Sequence, residues 1–187
     1  MAQLKPKLDG TKVITGLVRF SYPHVFTPDS INGGEEKYSV SLIIPKSDKD
    51  TINAIKTAIK TATEEGKTSK WGGKVPAKLD TPLRDGDIER EGDDAYSNAY
   101  FINPKSTKRP TVVDRKVNEI VDQDDFYPGC YGRASISFFP YEAAGNRGVG
   151  VLLNHVQKIE EGERLDGIAS ADEDFDILED DDDGLLD

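Results

Sequence analysis

Alternating hydrophobic and polar positions indicate several short β-strands along the chain. The clearest case is residues 37–44, where Tyr38, Val40, Leu42 and Ile44 lie on one face of the strand. Ser39 and Ser41 lie on the opposite face. A period of two is typical of a strand with one buried face. Similar runs occur at 12–20, 98–103, 111–114, 131–139 and 149–159. The pattern therefore predicts five or six strands.

One segment follows helical spacing instead. Ser47 and Asp50 resemble a capping box, although Asp stands where Glu or Gln is usual, and Gly66 is a fitting C-terminal stop. Between them a hydrophobic stripe recurs every three or four residues, at Ile52, Ile55, Ile59 and Ala62. A single marked helix among strands joined by long loops favours a small closed or partly open barrel. A parallel α/β sheet would need helices alternating with strands.

The charge of the chain is concentrated at its C-terminal end. The net charge is −11, but residues 160–187 hold 14 of the 35 acidic residues and one of the 24 basic residues. The remaining chain therefore carries 21 acidic and 23 basic residues, a net charge of +2. We predict a flexible N-terminal arm at 1–11, a domain at 12–160 and a disordered acidic tail at 161–187, because the tail is too polar to form a core. The acidity of the whole chain is no argument against a nucleic-acid partner.

Composition also restricts the compartment and the chemistry. The single cysteine, Cys130, is expected to be a reduced, packed thiol. The chain begins without the apolar run of a signal peptide and has no stretch as long as a membrane span, which predicts a cytoplasmic protein with no membrane partner. His24 and His155 have no metal-ligand spacing, and no nucleophile or phosphate-loop motif is present. We predict no catalytic residue, cofactor or metal.

An enzymatic alternative remains in the acidic run between 85 and 94. Its carboxylates, led by Asp85, Asp87 and Glu89, belong to residue types that hold Mg²⁺ in nucleases. Arg84 and Arg90 lie among them in a glycine-containing loop, which favours a solvated loop. A metal-dependent nuclease is the second hypothesis.

Several segments place aromatic rings beside basic residues, the combination that single-stranded DNA requires for base stacking and phosphate neutralisation. Trp71, the only tryptophan, lies in a glycine- and lysine-rich loop, and the other segments surround residues 22, 100 and 131. The predicted DNA-binding set is Tyr22, Lys70, Trp71, Lys74, Tyr100, Lys105, Lys108, Arg109, Tyr131 and Arg133.

The tail combines a run of aspartates with a few hydrophobic residues, as a short docking peptide does. Its predicted partner-binding residues are Phe175, Asp180, Asp181, Asp182, Asp183, Leu185 and Leu186. Such a polyanion can also occupy a basic groove of its own chain and compete with DNA. A third hypothesis is an interaction protein in which the tail alone is active.

Long sequence strings match a known family in the same order from about Thr15 to the C-terminus. They include TGLVRFSYPHVF, KYSVSLIIPKSDKDTI, RPTVVDR, FYPGCYGRASISFFPY and NHVQKI. The chain resembles the single-stranded-DNA-binding proteins of tailed phages and prophages. This resemblance implies an OB-fold barrel with elaborated loops, DNA held on its concave face, and a tail that contacts replication or recombination proteins. We therefore expect a sequence-tolerant protein that coats and protects single-stranded DNA in the bacterial host cytoplasm; the sequence leaves homo-oligomerisation open.

Overall fold

The computed structural model describes residues 4–30, 33–169 and 171–178, and these residues form a mainly β domain with one long helix. The strands are β1 (Lys7–Asp9), β2 (Lys12–Ile14), β3 (Val18–Asp29), β4 (Lys37–Pro45), β5 (Arg84–Asp85), β6 (Ala99–Ile102), β7 (Lys105–Ser106), β8 (Thr111–Val113), β9 (Tyr131–Ala143) and β10 (Asn146–Glu160). The helices are α1 (Lys49–Ser69), α2 (Gly86–Glu89) and α3 (Ala171–Asp174), with short 3₁₀ turns at Asp94–Tyr96 and Gln123–Asp125.

Five of these strands close into a ring. β3 pairs with β4, β4 with β7, β7 with β10, β10 with β9, and β9 pairs back with β3. The β7–β10 contact is parallel and the other four are antiparallel. The barrel is OB-fold-like, as predicted. Both β6 and β7 pair with β4, so these two short strands together form the third strand of the barrel.

The barrel interior is filled by the hydrophobic faces of its strands. Phe20, Leu42, Ile44, Ile136 and Leu153 are all at most 2% exposed. Helix α1 packs on β1, β2, β9 and β10 and buries the predicted stripe, except that Ile59 is only half-buried. Cys130 is fully buried, and this burial raises the pKa of its thiol to about 11.

The described residues contain ten strands, against five or six predicted, because several pairings involve only two or three residues. The predicted strand at 12–20 is divided between β2 and β3, and β3 continues to Asp29 through a segment expected to be a loop. Its pairing with β4 shifts register between Ser21 and His24 and again between His24 and Asp29. Pro23 and Pro28 lie within these two irregular stretches, where a residue without an N–H is tolerated.

Helix α1 is also longer than its sequence indicated. Asp48, not Ser47, is the N-cap, and its carboxylate accepts a hydrogen bond from the Thr51 N–H at 3.1 Å. Gly66 lies inside the helix, where a Cβ atom would come within 2.5 Å of Pro140 and 2.7 Å of the Trp71 ring. The glycine therefore permits close packing and does not end the helix.

The hairpin between β9 and β10 agrees with its sequence, whereas the N-terminal segment is more ordered than expected. Residues 145–150, which lie between two predicted strands and contain three glycines, indicate a hairpin turn. Ala144 and Gly145, with φ of +50° and +82°, form the two-residue turn between β9 and β10. Residues 7–9, within the stretch predicted as an arm, form β1 and pair with β2. Among the described residues, no helix has the length and hydrophobicity to cross a membrane.

Candidate nucleic-acid interface

Two adjoining grooves run across the outer surface of the barrel ring. The first, of about 510 Å³, lies over β3, β4 and the β6–β7 segment; the second, of about 540 Å³, lies over β7, β9 and β10. Lys37, Asn103 and Lys105 line both, so we treat the two as one surface, the outer groove. OB-fold proteins bind oligonucleotides on the outer face of their second and third barrel strands, which here are β4 and β6–β7.

The register of the strands explains why polar side chains line this surface. Ser39 lies opposite His24 on β3 and opposite Lys105 on β7, and Lys105 in turn lies opposite Leu152 on β10. Because alternate residues of a strand point to opposite faces, the hydrophobic face of β4 enters the core and Lys37, Ser39 and Ser41 line the groove. The alternation recognised in the sequence therefore builds both the core and the floor of the site.

Tyr22 forms one end of the outer groove. It lies in the irregular stretch of β3 with φ of +46°, a left-handed conformation that is rare for a bulky residue. Its side chain is 56% exposed although it stands between buried Ser21 and half-buried Pro23. A bulge that turns a large ring towards solvent is typical of a functional position.

Arg90 contacts two tyrosine rings at this end. Its guanidinium carbon is 5.3 Å from the ring centroid of Tyr22 and 4.5 Å from that of Tyr96. Its Nη2 donates hydrogen bonds to the Tyr22 hydroxyl at 2.9 Å and to Asp93 Oδ2 at 3.1 Å. Tyr96 is buried, and its hydroxyl donates to Ser41 Oγ at 3.0 Å. This network connects the exposed ring to the floor of the groove.

Phe139 provides an exposed ring in the second groove. It is 43% exposed on β9, directly opposite Gly150 on β10. A Cβ atom at position 150 would lie 2.5 Å from the Phe139 ring, so the ring packs against the bare backbone of the glycine. One edge of the ring is thereby supported while the rest stays open to solvent.

The positive charges of the outer groove differ in their availability. Arg84 forms ion pairs with Glu89 at 3.0 Å and Asp80 at 3.9 Å, and Arg90 is paired with Asp93. Lys37 and Lys105, by contrast, have no ion-pair partner in the part of the chain that the structure describes. These two lysines lie at the junction of the grooves and are the cations best placed to meet a phosphate.

The outer groove contains two of the ten residues predicted from the sequence, Tyr22 and Lys105. Lys108 and Arg109 are exposed in the turn after β7, and Thr107 of that turn lines the second groove. Arg109 lies 6.0 Å from the ring centroid of Phe26. These two cations therefore border the groove.

Trp71 requires a correction, because the structure places it in the core. It is 6% exposed, packs against Gly66, and donates a hydrogen bond from Nε1 to the Tyr141 carbonyl at 3.2 Å. A base has no free ring face on which to stack there. Lys70 and Lys74 on either side are exposed and lie outside the lining of the outer groove.

Three further predicted residues lie outside the lining of the outer groove and make contacts within the fold. Tyr100 is half-buried on the opposite face of β6 from Phe101, with Lys46 and Lys56 over its ring at 5.2 and 5.8 Å. Tyr131 lies under Arg19 and against Gly162.

Arg133, the third of these residues, donates hydrogen bonds to the carbonyls of Thr15 and Lys5, both at 3.0 Å. Its guanidinium fastens the N-terminal segment to the barrel. Arg133 also lies outside the lining of the outer groove.

Several residues of the outer groove are missing from the set predicted from the sequence. They include Lys37, Arg90 and Phe139. Lys37 and Ser39 occupy the polar face of a recognised strand, so their alternation was the signal that could have found them. Arg90 had no comparable signal, because its acidic neighbours suggested only a solvated loop. Its contacts depend on the fold bringing Tyr22 and Tyr96 close to its guanidinium.

The acidic run from 85 to 94 forms ion pairs and caps. Lys46 Nζ binds both Asp85, at 2.9 Å, and Asp87, at 2.7 Å, and this contact lowers the pKa of Asp87. Asp87 also accepts the Asn98 N–H, and Asp93 accepts the Ala95 N–H. Within residues 4–30, 33–169 and 171–178, no three acidic, histidine or cysteine side chains are grouped as metal ligands.

The predicted tail residues are only partly within the structure. Phe175 is 75% exposed, just after the short helix α3. Asp180, Asp181, Asp182, Asp183, Leu185 and Leu186 lie outside the described residues.

Comparison with known proteins adds an independent line of evidence. Residues 11–186 match the family model described as the ssDNA-binding protein of Enterobacter phage Enc34. The chain is 34% identical over 180 residues to protein p50 of Acyrthosiphon pisum secondary endosymbiont phage 1, covering 89% of this chain and 94% of that protein.

Solved structures agree with the sequence match. The single-stranded DNA-binding protein from bacteriophage Enc34, in complex with ssDNA, superposes with a TM-score of 0.71 at 26% identity, covering 88% of this chain and 99% of that one. The single-stranded DNA binding protein encoded by bacteriophage T7 gives a TM-score of 0.57 at 20% identity, covering 85% and 97%. The second likeness concerns the fold alone.

Proposed function

The chain belongs to the family of phage single-stranded-DNA-binding proteins typified by that of Enterobacter phage Enc34, and from this premise we propose that it binds single-stranded DNA in its outer groove. The binding is non-enzymatic and tolerant of sequence. The observation that carries the proposal is the arrangement of exposed rings at Tyr22 and Phe139 on either side of Lys37 and Lys105, two lysines without an ion-pair partner among the described residues.

The chemistry of the groove matches what single-stranded DNA requires. Every base has a π-face, so stacking on an aromatic ring does not distinguish sequences, and an ammonium group contacts the backbone irrespective of base. Double-stranded DNA keeps its bases stacked inside the helix and offers no free base to such rings. The groove therefore favours single strands over duplex.

Titration of a fluorescently labelled oligo-dT, followed by anisotropy at several salt concentrations, tests this proposal. If about four phosphates are neutralised, log K against log salt should slope at roughly −3, from about −0.7 per phosphate on single strands. Lys105→Gln should reduce the slope by about 0.7, whereas Lys60→Gln on the exposed side of α1 is the matched control and should leave it unchanged. A folded protein that does not bind at low salt would contradict the proposal.

We further propose that the protein coats and protects single-stranded DNA in phage replication or recombination in the host cytoplasm, and that its acidic tail competes with the DNA. The path of residues 161–166 supports the second part. Leu165 packs against the cluster containing Tyr96 and Phe101, and it lines a small cavity of about 150 Å³ together with Tyr22. The acidic tail therefore begins beside the Tyr22 end of the outer groove.

The start of the tail is held at that position by specific contacts. The Leu165 N–H donates to the Pro128 carbonyl at 2.9 Å, and Arg19 Nη2 donates to the Glu163 carbonyl at 2.6 Å. Tyr127 is hydrogen-bonded to Glu161 and Gly162, and Arg164 lies 4.8 Å from the centroid of its ring. A polyanion tethered so close has a high effective concentration at the groove. The hydrophobic residues near Phe175 remain available for a replication or recombination partner.

A further inference from the structure

We propose that Arg90 is a positioning residue that holds Tyr22 as a fixed stacking platform, and that it does not itself neutralise a phosphate. This inference rests on the proposed binding of single-stranded DNA. It assigns a role to Arg90, a residue whose acidic neighbours in the sequence indicated only a solvated loop.

The contacts of Tyr22 show why its ring needs support. The backbone at φ of +46° turns the side chain outward, and 56% of it is exposed. In the described part of the chain, Arg90 supplies both the hydrogen bond to its hydroxyl and the cation over its ring. A ring held in this way has less rotational freedom to lose when a base stacks on it.

The contacts of Arg90 show why the guanidinium is suited to this role. Its guanidinium carbon lies 5.3 Å from the ring centroid of Tyr22 and 4.5 Å from that of Tyr96, whose hydroxyl is fixed by Ser41 on the barrel wall. The exposed ring of Tyr22 is thereby connected to the barrel wall through Arg90 and Tyr96. A lysine ammonium could replace the charge but would lack the planar guanidinium and its fixed array of five donors.

The charge of Arg90 is already paired with a carboxylate, and for this reason we do not count Arg90 among the residues that bind phosphate. Asp93 accepts a hydrogen bond from the guanidinium at 3.1 Å and is itself fixed as the cap of the following 3₁₀ turn. The pair is therefore close to neutral as a unit. Lys37 and Lys105, which have no such partner among the described residues, carry the phosphate role instead.

The distinction can be measured with Arg90→Lys, Arg90→Gln, Tyr22→Ala and the double variants, using labelled oligo-dT at several salt concentrations. Tyr22→Ala should weaken binding roughly 5- to 150-fold, the loss typical of one stacked base. Both Arg90 variants should weaken it by about 2- to 12-fold, the cost of ordering one side chain on binding, with an unchanged salt slope. In the Tyr22→Ala background neither should weaken it further.

Two controls keep the test independent of folding. Arg115→Lys and Arg115→Gln change an exposed arginine outside the outer groove and should not alter affinity. Tyr22→Phe keeps the ring but removes the hydroxyl acceptor, leaves the Arg90 packing in place, and should weaken binding about 2- to 3-fold. Thermal unfolding of each variant identifies any that fail to fold.

Several outcomes would overturn the inference. One is a salt slope reduced by about 0.7 in Arg90→Gln and restored in Arg90→Lys, because that result identifies a phosphate ligand. Another is independent, additive losses for Arg90 and Tyr22. If the Arg90 variants do not fold, unchanged binding by Tyr22→Phe overturns it equally. Failure of the folded wild-type protein to bind would instead remove the proposed function.

Discussion

Tyr22 combines backbone strain with an exposed ring, and we expect these two properties to separate on substitution. A non-glycine residue in the left-handed region costs about 1–2 kcal/mol, which glycine avoids. Tyr22→Gly should therefore be about 1 kcal/mol more stable than Tyr22→Ala in urea unfolding, while both bind oligo-dT more weakly than the wild type. Equal stability of the two variants would show that the φ of +46° is not a source of strain.

Trp71 provides a second prediction for a single residue. Because the indole is buried against Gly66 and hydrogen-bonded to Tyr141, saturation with oligo-dT should change its emission maximum very little. Trp71→Ala should lower the free energy of unfolding by about 3–5 kcal/mol, and Trp71→Phe by less. Strong quenching of Trp71 by DNA, with DNA bound at the groove, would contradict its place in the core.

Tyr22 and Trp71 show how far the exposure of a single aromatic residue can be predicted from its sequence neighbours. Trp71 stands among glycines and lysines, so its neighbours suggest an exposed loop. Its burial depends on Gly66, five residues earlier, and on the Tyr141 carbonyl of a distant strand. Tyr22 was recognisable as an aromatic residue in a segment that also contains a basic residue, but the bulge that exposes it arises only from the pairing of β3 with β4.

At the scale of elements, the β9–β10 hairpin tests how backbone contacts shape the groove. Gly150→Ala would place a Cβ 2.5 Å from the edge of the Phe139 ring, which can move because it is exposed. We expect a several-fold loss of oligo-dT affinity with a change in unfolding free energy below about 1 kcal/mol, since a surface ring yields without disturbing the core. Phe139→Ala should reproduce the loss of affinity.

Gly132, on β9 of the same hairpin, is the matched contrast to Gly150 on β10. There a Cβ would lie 1.9 Å from the Gln157 carbonyl oxygen of the neighbouring strand, and a backbone atom cannot move aside cheaply. Gly132→Ala should therefore destabilise the fold by several kcal/mol, well beyond an ordinary surface substitution. If Gly150→Ala instead unfolds the protein to the same extent, Phe139 is a structural residue and not a platform.

Elements with a regular period could be predicted, and irregular ones could not. The alternation of β4 and the stripe of α1 follow from which residues enter the core, so the sequence indicated both, along with the β9–β10 hairpin. Strand β3 continues through Pro23 and Pro28 only because bulges accommodate them, a feature that depends on its partner strands. The site was harder to predict than the fold because it is assembled across β3, β4, β7, β9 and the loop that holds Arg90.

At the scale of the whole molecule, the separation of charge is the feature that the sequence revealed most directly. A body of net charge +2 bears a segment, residues 160–187, with 14 acidic residues and one basic residue. The structure adds that this segment leaves the barrel beside Tyr22, through the contacts of Leu165. Neither the location of the groove nor the exit of the tail is encoded in composition, since both depend on the closed ring of strands.

This arrangement predicts a specific effect of removing the tail. Deletion of residues 171–187 should tighten oligo-dT binding, and the gain should be largest at low salt, because attraction between a polyanion and lysines is screened within about 10 Å at 0.1 M salt. A full-length variant in which the ten acidic residues of 171–187 become Asn or Gln should match the deletion. Equal affinity of full-length and deleted protein at all salt concentrations would exclude competition by the tail and leave the groove as the sole determinant of affinity.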